Sequence, residues 1–145
     1  MLADPSFYVD LDIPDLKHPE LIEQFTAGGL AVVRLRYEFV GDVDPIVHRF
    51  LGHQRLSWIQ EVSTDLRTGA GTLGYRAESN PRLLHGDATF TLRPDGDGTV
   101  RHLDGELVVA LGVIGGMAEH RIVPGLLRRL DIEAEAVDAR LLPRA

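Results

Sequence analysis

Residues 84–111 read LHGDATFTLRPDGDGTVRHLDGELVVAL. Leu84, Ala88, Phe90 and Leu92 alternate there with His85, Asp87, Thr89 and Thr91. A period of two marks a half-buried strand, because successive side chains point to opposite faces of a sheet. RPDGDGT at 93–99 then supplies two Asp-Gly pairs. Such pairs readily adopt the left-handed conformations that a tight hairpin turn demands. Thr99 to Leu111 resumes the alternation, with Leu103, Leu107, Val109 and Leu111 on one side. Two alternating runs across such a turn make an antiparallel hairpin, and that hairpin sets the fold class.

The same pattern extends towards the N-terminus. Leu56 to Thr64 places Leu56, Trp58, Gln60 and Val62 on one face, and residues 69–78 place Leu73, Tyr75 and Ala77 together. Leu30 to Val40 has Val33, Leu35, Tyr37 and Phe39 inward against Arg34, Arg36 and Glu38 outward. The turn SNPR at 79–82 separates two of these runs. Short connections between alternating runs predict an antiparallel meander. Ser6 to Ile13 also alternates, with Phe7, Val9, Leu11 and Ile13 on one face, and predicts a first strand closed by Pro14. Leu21, Ile22 and Phe25 have helical spacing before Gly28-Gly29, which predicts a short helix over 18–27. Asp44, Pro45 and Gly52 supply a cap, a first helical residue and a stop for a helix over 45–51.

Residues 112–145 carry two apolar stripes at helical spacing. Ile114, Met117, Ala118 and Ile122 form one; Val123, Leu126, Leu127, Leu130, Ala134, Val137 and Leu141 form the other. Proline inside a helix removes a hydrogen bond and bends the backbone. The expectation is a long helix kinked or broken at Val123-Pro124-Gly125, with Arg128 and Arg129 in water opposite the second stripe. The whole is read as one α+β domain over 1–145, a sheet of about six strands with a long, kinked C-terminal helix.

Composition narrows the classes of function. The formal charge is −7, with 15 basic and 22 acidic residues, so the broad positive field that suits nucleic acid is lacking. There is no cysteine, which excludes disulfides, thiolate nucleophiles and cysteine-rich zinc sites. No apolar run reaches the about 18 residues of a membrane span, and the N-terminal stretch is acidic, so a cytoplasmic protein is expected.

RTGAGTLGYRAES contains Gly69-x-Gly71-x-x-Gly74, the spelling of a dinucleotide-binding turn. That motif works by opening a helix whose N-terminus meets the pyrophosphate. Here alternation follows the glycines and Pro81 soon ends the run, so no such helix fits and no nucleotide cofactor is expected. The glycines read instead as strand positions of close approach, beside Trp58 or Tyr75.

The order of strand, short helix, antiparallel strands and long final helix resembles the START-like superfamily (SRPBCC, helix-grip). That superfamily includes polyketide cyclases, plant pathogenesis-related allergens and lipid-transfer domains. LRYEFVGDVDPIVHRFLG, LSWIQEVS and LHGDATFTLRPDGDGTVRHLDGELVVALGVIGGMAEHRIV are similar to an actinobacterial branch of it, in which a Gly-Gly pair, here Gly115-Gly116, begins the last helix. The resemblance covers about residues 30–141 and carries no catalytic motif. It implies a curved sheet gripping a helix, with an internal cavity. The segment between the first two strands is shorter than the two helices usual in that fold, which bears on the size of the pocket.

The inward positions that would line such a cavity are Tyr37, Trp58, Gln60, Tyr75 and Phe90, with Met117 or Arg121 from the helix. Gln60 lies between Trp58 and Val62 on an apolar side, and a buried amide must find a partner. That partner is either a ligand or, within a filled core, the backbone or Tyr75. On the outer face His85, Asp87, His102, Asp104 and Glu106 are metal-ligand types without a recognised spacing, so a solvated face is expected and no metal. His48, His53 and His120 lie in no catalytic arrangement, and no Gly-x-Ser-x-Gly is present.

Three functions follow. The first is binding of an apolar small molecule in an internal cavity, without catalysis or cofactor. The second is an enzyme of cyclase or hydrolase type using a pocket acid or base. The third is a homo-oligomeric interaction protein, with a homodimer as its simplest form. Aromatics and one amide without a carboxylate–histidine pair put binding first.

Overall fold

The structure is a computed structural model. It describes residues 3–14, 16–40, 57–78, 84–109 and 115–141, with the backbone alone for 109, 115–123 and 125–126. The elements in chain order are α1 (Pro5–Val9), β1 (Glu20–Ala27), β2 (Leu30–Glu38), β3 (Ser57–Asp65), β4 (Gly71–Ala77), β5 (Leu84–Asp95), β6 (Gly98–Val109) and α2 (Gly115–Leu141). The strands form one sheet in the order β1-β2-β3-β4-β5-β6, each antiparallel to its neighbour. The fold is α+β, a curved antiparallel sheet with a C-terminal helix packed along β6. No helix among the described residues is long and apolar enough to cross a membrane.

The hairpin of 84–109 closes as its Asp-Gly content requires. Asp95 pairs with Gly98, and Gly96 takes φ 56° in the two-residue turn between them. The alternation on β2, β3 and β4 is also realised. Val33, Leu35, Tyr37, Val62, Leu73, Tyr75 and Phe90 are buried together on the inner face. The helix expected over 45–51 and the turn at 79–82 lie outside the described residues.

Two N-terminal elements differ from expectation. Residues 5–9 are helical, although 6–13 alternates. Asp4 caps this turn by accepting from the Ser6 amide at 2.9 Å, and Pro5 occupies the start of the helix. The burial of adjacent Phe7 and Tyr8, at 0% and 1% exposure, suits a helical turn and departs from the one-faced burial that alternation predicts.

Residues 20–27 form a strand where helical spacing pointed to a helix. The cause is a register shift between Leu21 and Glu23. Glu20 pairs with Arg36, Leu21 with Leu35, and then Glu23 with Arg34, leaving Ile22 as the extra residue. A bulge converts a local period of two into three. Glu20 and Glu23 therefore share a face, as they would on a helix. Gly28 and Gly29, at φ 59° and 78°, make the turn into β2.

The helix α2 is a single element that runs through Pro124. Its face against the sheet differs from the expected stripe. Leu127 and Leu141 are 55% and 68% exposed, whereas Arg129 and Glu133 are 5% and 3% exposed. Ala136 and Val137 complete the contact with the core. Arg128 is exposed as expected; Arg129, expected in water, is buried.

Candidate functional site

Pairing places one row of residues straight across the inner face. Leu21 opposes Leu35, Leu35 opposes Gln60, Gln60 opposes Tyr75, Tyr75 opposes Gly86, and Gly86 opposes Leu107. Directly opposed residues share a face, so the amide of Gln60 stands near the middle of an apolar sheet. The next row sets Tyr37 against Trp58, with rings stacked at 5.8 Å and 12°. Phe90 opposes Gly71. Tyr37, Trp58, Gln60, Tyr75 and Phe90 thus lie on one face. The side chains of Met117 and Arg121 lie outside the described residues.

The centre of this face receives a charge that the sequence reading put in solvent. Arg129 from α2 donates from Nη2 to Gln60 Oε1, across 69 positions of sequence. Its guanidinium lies 4.3 Å from the Tyr37 ring centre and 5.7 Å from that of Tyr75. Planar, weakly hydrated arginine suits such stacking better than lysine does. One turn on, Glu133 faces Arg129 Nη2 at 3.4 Å and Arg101 Nη1 of β6 at 3.4 Å. Arg101 lies over the Phe90 ring at 4.5 Å. The expected Gln60 partners were a ligand, backbone or Tyr75; the structure supplies Arg129 for its oxygen.

Several polar atoms of the cluster remain without a hydrogen-bond partner among the described residues. They are Gln60 Nε2, Tyr37 Oη, Tyr75 Oη, Arg129 Nε and Arg101 Nε. Gln60 and Tyr37 expose 0% and 1% of their surface, so solvent does not satisfy them. A buried unpaired polar group costs about 1–3 kcal/mol, which makes five in one cluster a feature that asks for a reason.

Burial governs protonation here. It raises the Tyr37 hydroxyl to about 12, against an opposing pull from Arg129. It raises those of Tyr75 and Tyr8 too, again with Arg129 opposing. For Arg129 burial is the largest influence and disfavours the charge, but Tyr75, Tyr37, Glu133 and Tyr8 outweigh it and hold the pKa above its ordinary value. Near neutral pH the phenols are therefore neutral and Arg129 is charged.

The opposite face is built differently. Arg34 bridges Glu23 and Glu61, Arg36 bridges Glu20 and Glu78, and Arg76 takes both oxygens of Asp87 at 3.0 and 3.3 Å. A concavity of about 470 Å³ lies among Ile59, Glu61, Thr72, Gly74, Arg76 and Asp104. Asp87 is engaged by Arg76, and His85 and His102 stand at separate register positions, opposite Val108 and Thr91. Among the described residues no three metal-ligand side chains converge.

The glycine motif has a structural account. A Cβ on Gly71 would sit 1.9 Å from the Ser63 carbonyl oxygen and 2.7 Å from the Phe90 ring. The close approach is thus to Ser63 and Phe90, not to Trp58 or Tyr75. These glycines flank and enter β4, so a strand and not a helix begins at them.

Arg129, Glu133, Arg101 and Tyr8 were missed as candidates. The one available signal was the i, i+4 spacing of Arg129 and Glu133 on a helix, which fits a solvent-facing pair equally well.

A family model described as "Protein of unknown function (DUF2505)" matches residues 15–141. The match spans most of the chain, and the chain belongs to that family. Among curated proteins none matches.

Proposed function

We propose that the chain binds an apolar small molecule between the inner face of the sheet and α2, and holds it without transforming it. The reading rests on a START-like helix-grip relationship, which the antiparallel sheet and C-terminal helix support. The observation that carries it is the set of buried, unpartnered polar atoms on Gln60, Tyr37 and Tyr75 beside the apolar core. Apolar sites with a few convergent polar groups are how proteins orient small ligands. Trp58, Tyr37, Tyr75 and Phe90 supply the apolar walls. Binding is favoured over a cyclase or hydrolase because the ionisable groups present suit proton transfer poorly. The phenols are pushed away from neutral pH, and Glu133 lies between two arginines.

Gln60 and Tyr37 are fully enclosed, so exchange of the ligand is expected to be slow. Native mass spectrometry of the protein as purified should show a retained small molecule, and a neutral apolar fluorophore such as N-phenyl-1-naphthylamine should bind saturably. Absence of both, with Gln60→Leu destabilised as in a dry core, would leave a packed structural domain.

A further inference from the structure

We infer that the ligand of this site is an acidic amphiphile: an apolar body carrying one carboxylate, whose head is received at Arg129 by Gln60, Tyr37 and Tyr75. The inference rests on the binding reading above and adds the class of ligand.

The first observation is the sign of the unmet demand. Gln60 Nε2, Arg129 Nε and Arg101 Nε can only donate, and the hydroxyls of Tyr37 and Tyr75 can donate as well. Among the described residues no purely accepting side-chain atom is left unpaired in the cluster. Water in such a site would have its own two protons to place, whereas a carboxylate offers two oxygens and only accepts. The second observation is charge. Arg129 and Arg101 bring two positive charges, and Glu133 brings one negative charge. Among the described residues one positive charge is left over, in a region where Arg129 is 5% exposed. Buried charge is stable when paired, and a single anion completes the count. A dianionic phosphate head would overshoot it. The third observation is separation from the general field. The chain as a whole carries −7, so selection of an anion here would be local. Local, desolvated pairing is little affected by salt.

The experiment compares dodecanoate, dodecanol and dodecyl phosphate by displacement of N-phenyl-1-naphthylamine from the full chain, at low and at physiological ionic strength. Dodecanoate should displace the probe at least about tenfold more tightly than dodecanol, since charge-assisted hydrogen bonds are at stake. It should also surpass dodecyl phosphate, and its preference should persist in salt. Gln60→Glu keeps the shape and an acceptor for Arg129 but neutralises the spare charge. It should abolish the preference for dodecanoate over dodecanol. Tyr37→Phe keeps the ring and removes one donor; it should weaken dodecanoate severalfold and more than it weakens dodecanol, and it serves if the first variant fails to fold. Equal displacement by dodecanoate and dodecanol would overturn the carboxylate inference and leave the apolar site standing. Tighter binding of dodecyl phosphate would overturn the choice of a single negative charge. No saturable binding of the probe or of any amphiphile would remove the binding reading and this inference with it.

Discussion

The two faces of the sheet both carry arginines paired with carboxylates, but in different surroundings. On the outer face Arg34 sits between Glu23 and Glu61 with 39% of its side chain exposed, and Arg36 sits between Glu20 and Glu78 with 43% exposed. On the inner face Arg129 and Glu133 each expose 5% of their side chains. Exposed pairs gain little because water screens them and the side chains lose freedom, about 0–1 kcal/mol apiece. A buried pair is not strong merely because it is buried, since desolvation offsets much of the attraction. What differs is the penalty for breaking it. An outer-face charge that loses its partner returns to water, whereas Glu133 would stay buried with one fewer of the two arginines that face it.

The largest expected effect is therefore Arg129→Met. It should cost about 3–5 kcal/mol in chemical denaturation, because Gln60 Oε1 loses its donor, Glu133 loses one of its two arginines and the Tyr37 ring loses its cation. A change below about 1 kcal/mol would mean that the inner cluster behaves like the outer ladder.

Next comes alkaline pH. The Tyr37 hydroxyl titrates at about 12 in the folded chain against 10.0 for an unperturbed phenol. The folded state then favours the protonated form. Its contribution is complete below pH 10 and is lost as pH rises towards 12, at about 1.4 kcal/mol per pH unit for one such group. Tyr75 and Tyr8 are shifted in the same direction. Denaturation curves from pH 8 to 12 should show stability falling above pH 10, in parallel with a delayed tyrosinate absorbance. Tyrosinate appearing at pH 10 without loss of stability would contradict the burial of these phenols.

Gln60→Leu should follow. If the amide only accepts from Arg129 in a dry core, the variant loses about 1–3 kcal/mol. With a ligand at Nε2, uptake of the neutral fluorophore changes as well. The smallest effect is Arg34→Gln on the outer face, about 1 kcal/mol or less and diminishing in high salt. A larger, salt-independent loss there would mean that the ladder is a cooperative structural element.

Legibility varied along the chain in the same way that local and distant forces do. β5 and β6 were readable because alternation and an Asp-Gly turn act within a few residues. β1 misled because its bulge placed Glu20, Leu21, Ile22, Glu23 and Phe25 at intervals that a helix also produces. α1 misled because a short run of alternation outweighed a valid local signal, the Asp4-Pro5 cap, which was present in the sequence. Of the candidate site, the inner face was legible: Tyr37, Trp58, Gln60, Tyr75 and Phe90 share it. Its central charge was not.

The sequence by itself determined which side chains each strand turns the same way, since a strand has only two faces and its alternation names them. It also determined where the hairpin closes, because Asp-Gly chemistry is local. Only the tertiary structure decided which side of α2 meets the sheet. That helix carries apolar residues around much of its circumference, so periodicity permits more than one answer. The docked answer leaves Leu127 and Leu141 exposed and buries Arg129 and Glu133. It does so because Gln60 Oε1, the rings of Tyr37 and Tyr75, and Arg101 from β6 are all waiting there, and those partners are brought together by the fold rather than by their neighbours in the chain.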